Sequence, residues 1–269
     1  MNHNAELIQE PSYRLARLEM FNWGGFSGKH HADINPAGTA VIGPTGSGKT
    51  TLVDALMTLI TAHPKYNLAS TGGHESDRDL ASYVRGVTGP GDGSESQSHV
   101  ARSAKTVTGI SATLSDGHNT AIIGAVLWFD DSSSSPADMK KFWYVATSND
   151  HVLDVMLDVH QQGGMRALNQ RTKIETGLWS FTSKVKYLAR IRDFFEVRDN
   201  AFNLLNRAAG LKQLNSIDEI FRELVLDDTS QFERAKDVAN SFDDLADIHQ
   251  ELVIARKQQA SLEPVKATW

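Results

Sequence analysis

The chain has 269 residues, with 27 Lys+Arg against 33 Asp+Glu, a formal net charge of −6 and no cysteine. Such a length is ample for a buried core, and a 40% apolar composition excludes wholesale disorder. The missing cysteine excludes a disulfide scaffold, a Cys-ligated zinc site and a thiol nucleophile, while the acidic balance excludes a protein that is basic all over.

Residues 1–12 are polar and read as a flexible N-terminus rather than a signal peptide. The longest apolar run, residues 121–129, is about half of the roughly 20 residues a membrane helix needs, so no membrane association and a cytoplasmic location are expected. Residues 13–21 and 29–34 read as strands separated by Gly24-Gly25, and residues 39–42 as a short apolar strand that runs into a Gly-rich loop. Leu52, Val53, Leu56, Leu59 and Ile60 lie at helical spacing and predict a helix over 49–60, ended by His63-Pro64.

Residues 62–106 are polar and Gly-rich, with a short helix expected at 79–84. Loops of that length in compact domains are usually functional or disordered. Residues 107–114 and 119–129 flank Asp116-Gly117 and predict a hairpin. Residues 141–147 and 152–159 read as two more strands, giving an antiparallel sheet. Past Gly177 the pattern turns helical, with helices expected at 184–195 and 201–209. Ser216 with Glu219, and Ser230 with Glu233, mark two further helix starts.

Chemistry concentrates in Gly43-Pro44-Thr45-Gly46-Ser47-Gly48-Lys49-Thr50, which fits G-x-x-x-x-G-K-[ST]. Successive backbone N–H groups can wrap a phosphate only where glycines replace colliding side chains. In this pattern Lys49 reaches the β- and γ-phosphates of ATP, and the Thr50 hydroxyl ligates Mg²⁺, with Thr51 in the first turn of the helix whose dipole adds positive potential. Hydrolysis also needs a strand ending in a carboxylate beside the P-loop. Residues 126–131, ending in Asp130-Asp131, have that look, but they read better as the return strand of the hairpin. Residues 224–228 read as a helix end. The chain therefore supplies no catalytic carboxylate of its own on this reading.

Residues 230–262 contain neither Pro nor Gly, and Val238, Leu245, Ile248, Leu252, Ala255 and Leu262 recur at steps of three, four or seven, with Gln259 as a polar interruption. About 33 residues span about 50 Å, and the apolar seam wants a facing helix, so a coiled-coil stem is expected. Between residues 171 and 212 nine basic residues stand against four acidic, with Trp179, Phe181, Tyr187, Phe194 and Phe195 interleaved, a composition suited to phosphate-backbone contact. Lys184, Lys186 and Arg190 are the candidates there.

Three segments together resemble the N-terminal head lobe of SMC-like ATPases. They are residues 14–24 (Arg-Leu-Ala-Arg-Leu-Glu-Met-Phe-Asn-Trp-Gly), the P-loop with Thr51-Leu52-Val53-Asp54-Ala55-Leu56, and residues 77–86 (Asp-Arg-Asp-Leu-Ala-Ser-Tyr-Val-Arg-Gly). Within that family the nearest likeness is to the JetC ATPases of Wadjet plasmid-defence systems, relatives of MukB and MksB. Residues 192–195 and 206–212 fit the same family.

The resemblance implies an α/β P-loop NTPase of ABC/SMC head type, whose N-terminal lobe has a mixed or antiparallel sheet. The lobe would occupy 13–229, and 230–269 would begin a coiled-coil arm. It implies ATP and Mg²⁺ as cofactors, clamped between this head and a second one. A C-terminal half would supply the signature motif, the Walker B Asp and the catalytic Glu. It also implies kleisin, KITE-type and nuclease subunits, and double-stranded DNA, as partners. Gln213 becomes the Q-loop candidate that bridges Mg²⁺ and the attacking water, with Gln161, Gln162 and Gln170 as rivals. Arg78 and Arg85 become candidate DNA contacts. An SbcC- or RecF-like repair ATPase is the alternative within the fold, and a self-contained P-loop kinase or nucleotide switch using Asp130 the alternative outside it.

Overall fold

β1 (Arg14–Phe21) and β2 (Lys29–Asp33) form a hairpin, followed by α1 (Lys49–Ile60), α2 (Leu80–Arg85) and a two-residue ladder of β3 (Val87–Thr88) with β4 (His99–Val100). Then come β5 (Thr106–Ser115), β6 (Thr120–Phe129), β7 (Lys140–Ala146), α3 (Val152–Ile174), β8 (Leu178–Phe181) and α4 (Lys184–Phe195). This computed structural model describes residues 12–64, 66, 79–88, 99–147 and 152–197, with 201, 202, 205, 249, 253, 254, 256 and 257. Contacts divide the chain into two units, Met1–Gln213 and Leu214–Trp269. In the second, His249, Val253, Ile254, Arg256 and Lys257 are helical, and the rest of the expected stem lies outside the described residues.

Six strands form one sheet in the order β2-β1-β5-β6-β7-β8, every neighbour antiparallel. β6 sits inside that order, and its run Ala121–Phe129 is buried throughout. An antiparallel strand with one wet face would alternate in polarity, whereas β6 is apolar on both faces and so requires a layer on each. Ile123, Ala125, Leu127 and Phe129 face one core with α1, α2 and α4, while Ile122, Val126 and Trp128 face a second core with α3. Two glycines admit close packing on the α3 side. A Cβ on Gly109 would lie 2.7 Å from Leu153 of α3, and one on Gly124 would overlap the Tyr144 ring.

Local hydrogen bonds and glycines shape the turns and ends of these elements. The β5–β6 turn is held by the Asp116 carboxylate, which accepts from the N–H groups of His118 (2.8 Å) and Asn119 (2.6 Å), with Gly117 at φ 94°. Those bonds, led by Asn119, hold the Asp116 carboxyl down at about 2. Asp79 caps α2 by accepting from Ser82 N at 2.8 Å, and Gly86, at φ 64°, ends the helix in the left-handed region.

Three expectations change. Residues 152–159 are the first two turns of α3, not a strand: Val152, Leu153, Met156 and His160 are buried at helical spacing, and that period outweighs the β-branched composition. Residues 178–181 form strand β8, pairing with β7. Residues 39–42 are not a strand, because no described strand offers them a ladder of hydrogen bonds.

Arg85 is the most demanding group in the core. It is fully buried, its guanidinium lies 4.3 Å over the Phe129 ring, and it donates to the carbonyls of Arg102 (2.9 Å), Ala104, Asp131 (2.7 Å) and Ser133. One side chain thus ties α2 to the approach to β5 and to the turn after β6. Burial lowers its pKa, opposed by Asp131. The expectation that Arg85 meets DNA is overturned, since its donors are spent on backbone acceptors inside the protein. Arg85→Met should destabilise the fold by at least about 3 kcal/mol, because each buried acceptor left without a donor costs about 1–3 kcal/mol. Urea denaturation of wild type and variant measures it.

Candidate phosphate-binding site

Gly43-Pro44-Thr45-Gly46-Ser47-Gly48 forms an exposed loop that ends in the first turn of α1. Gly46 and Gly48 have φ of 82° and 89°, a conformation that only glycine adopts without strain. Ser47 N donates to Pro44 O at 3.2 Å and Leu52 N to Gly48 O at 3.0 Å, so the loop turns and enters the helix without a break. No side chain caps the helix and its first turn carries no acidic residue. Its N–H groups are therefore left for an anion, with the positive end of the dipole behind them. The Lys49 ammonium folds back over the loop and donates to the carbonyls of Gly43 and Pro44, both at 2.8 Å. A nucleotide's phosphates would exchange with those carbonyls for the same ammonium.

The preceding hairpin holds this helix in place. Asn22, at φ 51°, closes the turn between β1 and β2. Its side-chain carbonyl accepts from Gly28 N at 2.9 Å, and its own N–H donates to Gly28 O at 3.0 Å. Trp23, fully buried, donates its indole N–H to Thr51 O at 2.9 Å. Trp23, Tyr83 and Tyr66 pack ring against ring, with centroids 4.7 and 4.8 Å apart. The Tyr83 hydroxyl donates to the buried Asp54 carboxylate on α1, and Thr58 bridges Asp54 O (2.7 Å) and the Tyr66 hydroxyl (3.1 Å). Sequence reading gave no role to Tyr66, and Trp23, Asp54 and Tyr83 entered only as parts of a resemblance. The available signal was a Gly-Gly pair between two aromatics, followed by an acidic residue at an otherwise apolar helix position.

The expected residues do not all converge. Gly43 to Thr51 share one loop and helix start. Arg78 and Gln213 lie outside the described residues. Gln161, Gln162 and Gln170 sit on α3, which covers the opposite face of the sheet from α1, and so they cannot serve this site. Asp130 ends an antiparallel strand and pairs with Lys140, as the hairpin reading required. That pairing lowers its pKa. Among the described residues no three His, Asp or Glu gather as a metal site.

The basic candidates of α4 are unequal. Lys186 is exposed. Arg190 stacks on Trp179 at 4.6 Å and on Phe194 at 5.9 Å, and Lys184 lies 5.1 Å from the Trp143 ring centroid. Burial, aided by Lys141, pushes the Lys184 ammonium down to about 7.

The family described as the P-loop containing region of AAA domain matches residues 15–73. No curated protein matches the chain. The match spans β1, β2, the loop and α1, which are the elements that build the geometry above. The chain carries a P-loop nucleotide-binding region within an α/β architecture whose sheet is antiparallel. No helix among the described residues is long and apolar enough to cross a membrane.

Lys49→Ala should abolish ATP binding, and titration of wild type and variant by calorimetry checks it; equal affinities would refute the site. A second expectation concerns pH. A lysine whose folded pKa is lowered from 10.5 to about 7 binds its proton less tightly in the folded state. The resulting penalty is full below pH 7 and disappears as pH rises through 10.5. Lys184→Met should therefore stabilise the protein most at pH 6, with the gain shrinking toward pH 10, as read by urea denaturation at the two values.

Proposed function

We propose that the chain is the ATP-binding N-terminal lobe of an SMC-like ATPase head, in which a C-terminal lobe supplies the signature motif and the catalytic carboxylate. The observation that carries this reading is the state of the residues leading into the P-loop. Val41 and Ile42 are 47% and 90% exposed, although they adjoin a formed phosphate loop. Apolar residues at that place are the inner strand of a P-loop site, and they need parallel neighbours to bury them. Every strand pair of the described sheet is antiparallel, so a companion lobe is the natural source of those neighbours and of the carboxylate beside the Mg²⁺.

ATP then joins two heads, its phosphates held by Gly43 to Thr51 and its Mg²⁺ by Thr50. Gln213 is the proposed Q-loop residue. The resemblance of residues 14–24, 49–56 and 77–86 favours a DNA-translocating complex of the plasmid-defence type, with kleisin, KITE-type and nuclease subunits. Double-stranded DNA would be met by Arg78 and by the α4 surface around Lys186. A self-contained kinase or switch is disfavoured, because Asp130 is held by Lys140 at the end of a hairpin strand.

The test is turnover. The chain alone should bind ATP and hydrolyse it slowly, Asp130→Asn should leave that rate unchanged, and adding a C-terminal lobe should raise it. Robust hydrolysis by the chain alone that Asp130→Asn removes would overturn the proposal.

A further inference from the structure

The P-loop touches the turn between β1 and β2 at two points. One is the indole of Trp23 on Thr51 O. The other is Phe26, whose ring lies against Gly48. A Cβ added to Gly48 would come within 2.6 Å of Phe26 Cζ and 3.1 Å of its Cε2, so the ring occupies the space that the missing side chain leaves. Gly48 is both the N-cap of α1 and a left-handed residue of the loop. Its backbone could relax toward other conformations, since glycine has no preference between φ > 0 and φ < 0. A ring packed on its Cα removes that freedom.

The turn that carries Phe26 is itself restrained. Phe26 N donates to Trp23 O at 2.9 Å and Gly24 N to Tyr83 O at 2.9 Å. Arg102 donates to Gly24 O at 2.8 Å and, more weakly, to Phe26 O at 3.4 Å. Gly24, at φ 55°, lies so close to Thr51 that a Cβ there would come within 2.7 Å of the threonine methyl. The loop is thus gripped from one side across Gly48 and Thr51, on either side of Lys49 and Thr50.

We infer that Phe26 is a positioning residue for nucleotide binding, holding the Gly48 backbone in the conformation that turns the N–H groups of the loop toward phosphate. This rests on the P-loop reading of the site and adds to it. Phe26 acts through Gly48 and not through the base or sugar. Removing the ring lets the free loop sample other conformations, and the order must then be restored at the moment of binding. The loss falls equally on any ligand that uses the phosphate loop.

The test uses the full chain and three ligands: ATP, GTP, and inorganic pyrophosphate, which has neither base nor sugar. Phe26→Ala should weaken all three by the same factor, about tenfold. Phe26→Leu refills the space beside Gly48 and should return affinity to within about twofold of wild type. Phe26 is only partly buried, so the variants should fold. Should Phe26→Ala not do so, Phe26→Val supplies the shortened side chain. A purely structural role would lower the melting temperature and leave the three affinities alone, which would overturn the inference. A loss confined to ATP and GTP, with pyrophosphate unchanged, would also overturn it and make Phe26 a base or sugar contact. If wild type binds none of the three ligands, the P-loop reading itself fails; if it binds and Phe26→Ala matches it, only the present inference fails.

Discussion

β6 is apolar on both sides, and that constraint organises the first unit. Burying a strand on two faces demands two covering layers, and the chain supplies α1, α2 and α4 on one and α3 on the other. α1 is placed by this requirement as much as by its own amphipathic pattern. The phosphate loop is simply the N-terminal end of the helix that the sheet must have. Its location is thus a packing consequence, and its chemistry a local one.

Polar groups packed around α1 and α2 are engaged in hydrogen bonds. Arg85 joins three chain segments through backbone carbonyls. Asp54, Tyr83, Thr58 and Tyr66 form a hydrogen-bonded chain along the inner side of α1. Buried polar networks of this kind define a unique arrangement, because each member left unpaired costs desolvation without return. Here they join the P-loop helix to α2 and to the β1–β2 turn, so the rotation of α1 about its own axis is determined as well as its position. Lys49 lies on that same helix, and the direction of its side chain follows.

The outer elements are less completely satisfied. Val41 and Ile42 are apolar and uncovered directly before the phosphate loop, while Lys184 is half-buried against Trp143 with its pKa lowered and Arg190 is stacked on aromatics. The helix after the P-loop is held by buried hydrogen bonds, whereas the residues before the loop are bare. The basic stretch at residues 171–212 likewise looked uniform in composition, but its described members differ: two lysines of one helix, Lys184 and Lys186, end in opposite environments, one against Trp143 and one in solvent.

The amino-acid sequence by itself determined the phosphate loop, because that chemistry depends on residues adjacent in the chain: glycines at Gly46 and Gly48, an amine at Lys49 and a hydroxyl at Thr50. It likewise determined the Asp116-Gly117 hairpin, whose turn is closed by hydrogen bonds within three residues. Only the tertiary structure decided the rest. Arg85 reads as a surface cation until the carbonyls of Arg102, Ala104, Asp131 and Ser133 are brought around it. Residues 152–159 read as a strand until α3 is seen to lay Val152, Leu153, Met156 and His160 on the sheet. The grip of Trp23 and Phe26 on Thr51 and Gly48 joins positions about 20 to 30 apart in sequence. Contacts between distant segments leave no periodicity along the chain, and it is the folding of the sheet that brings them together.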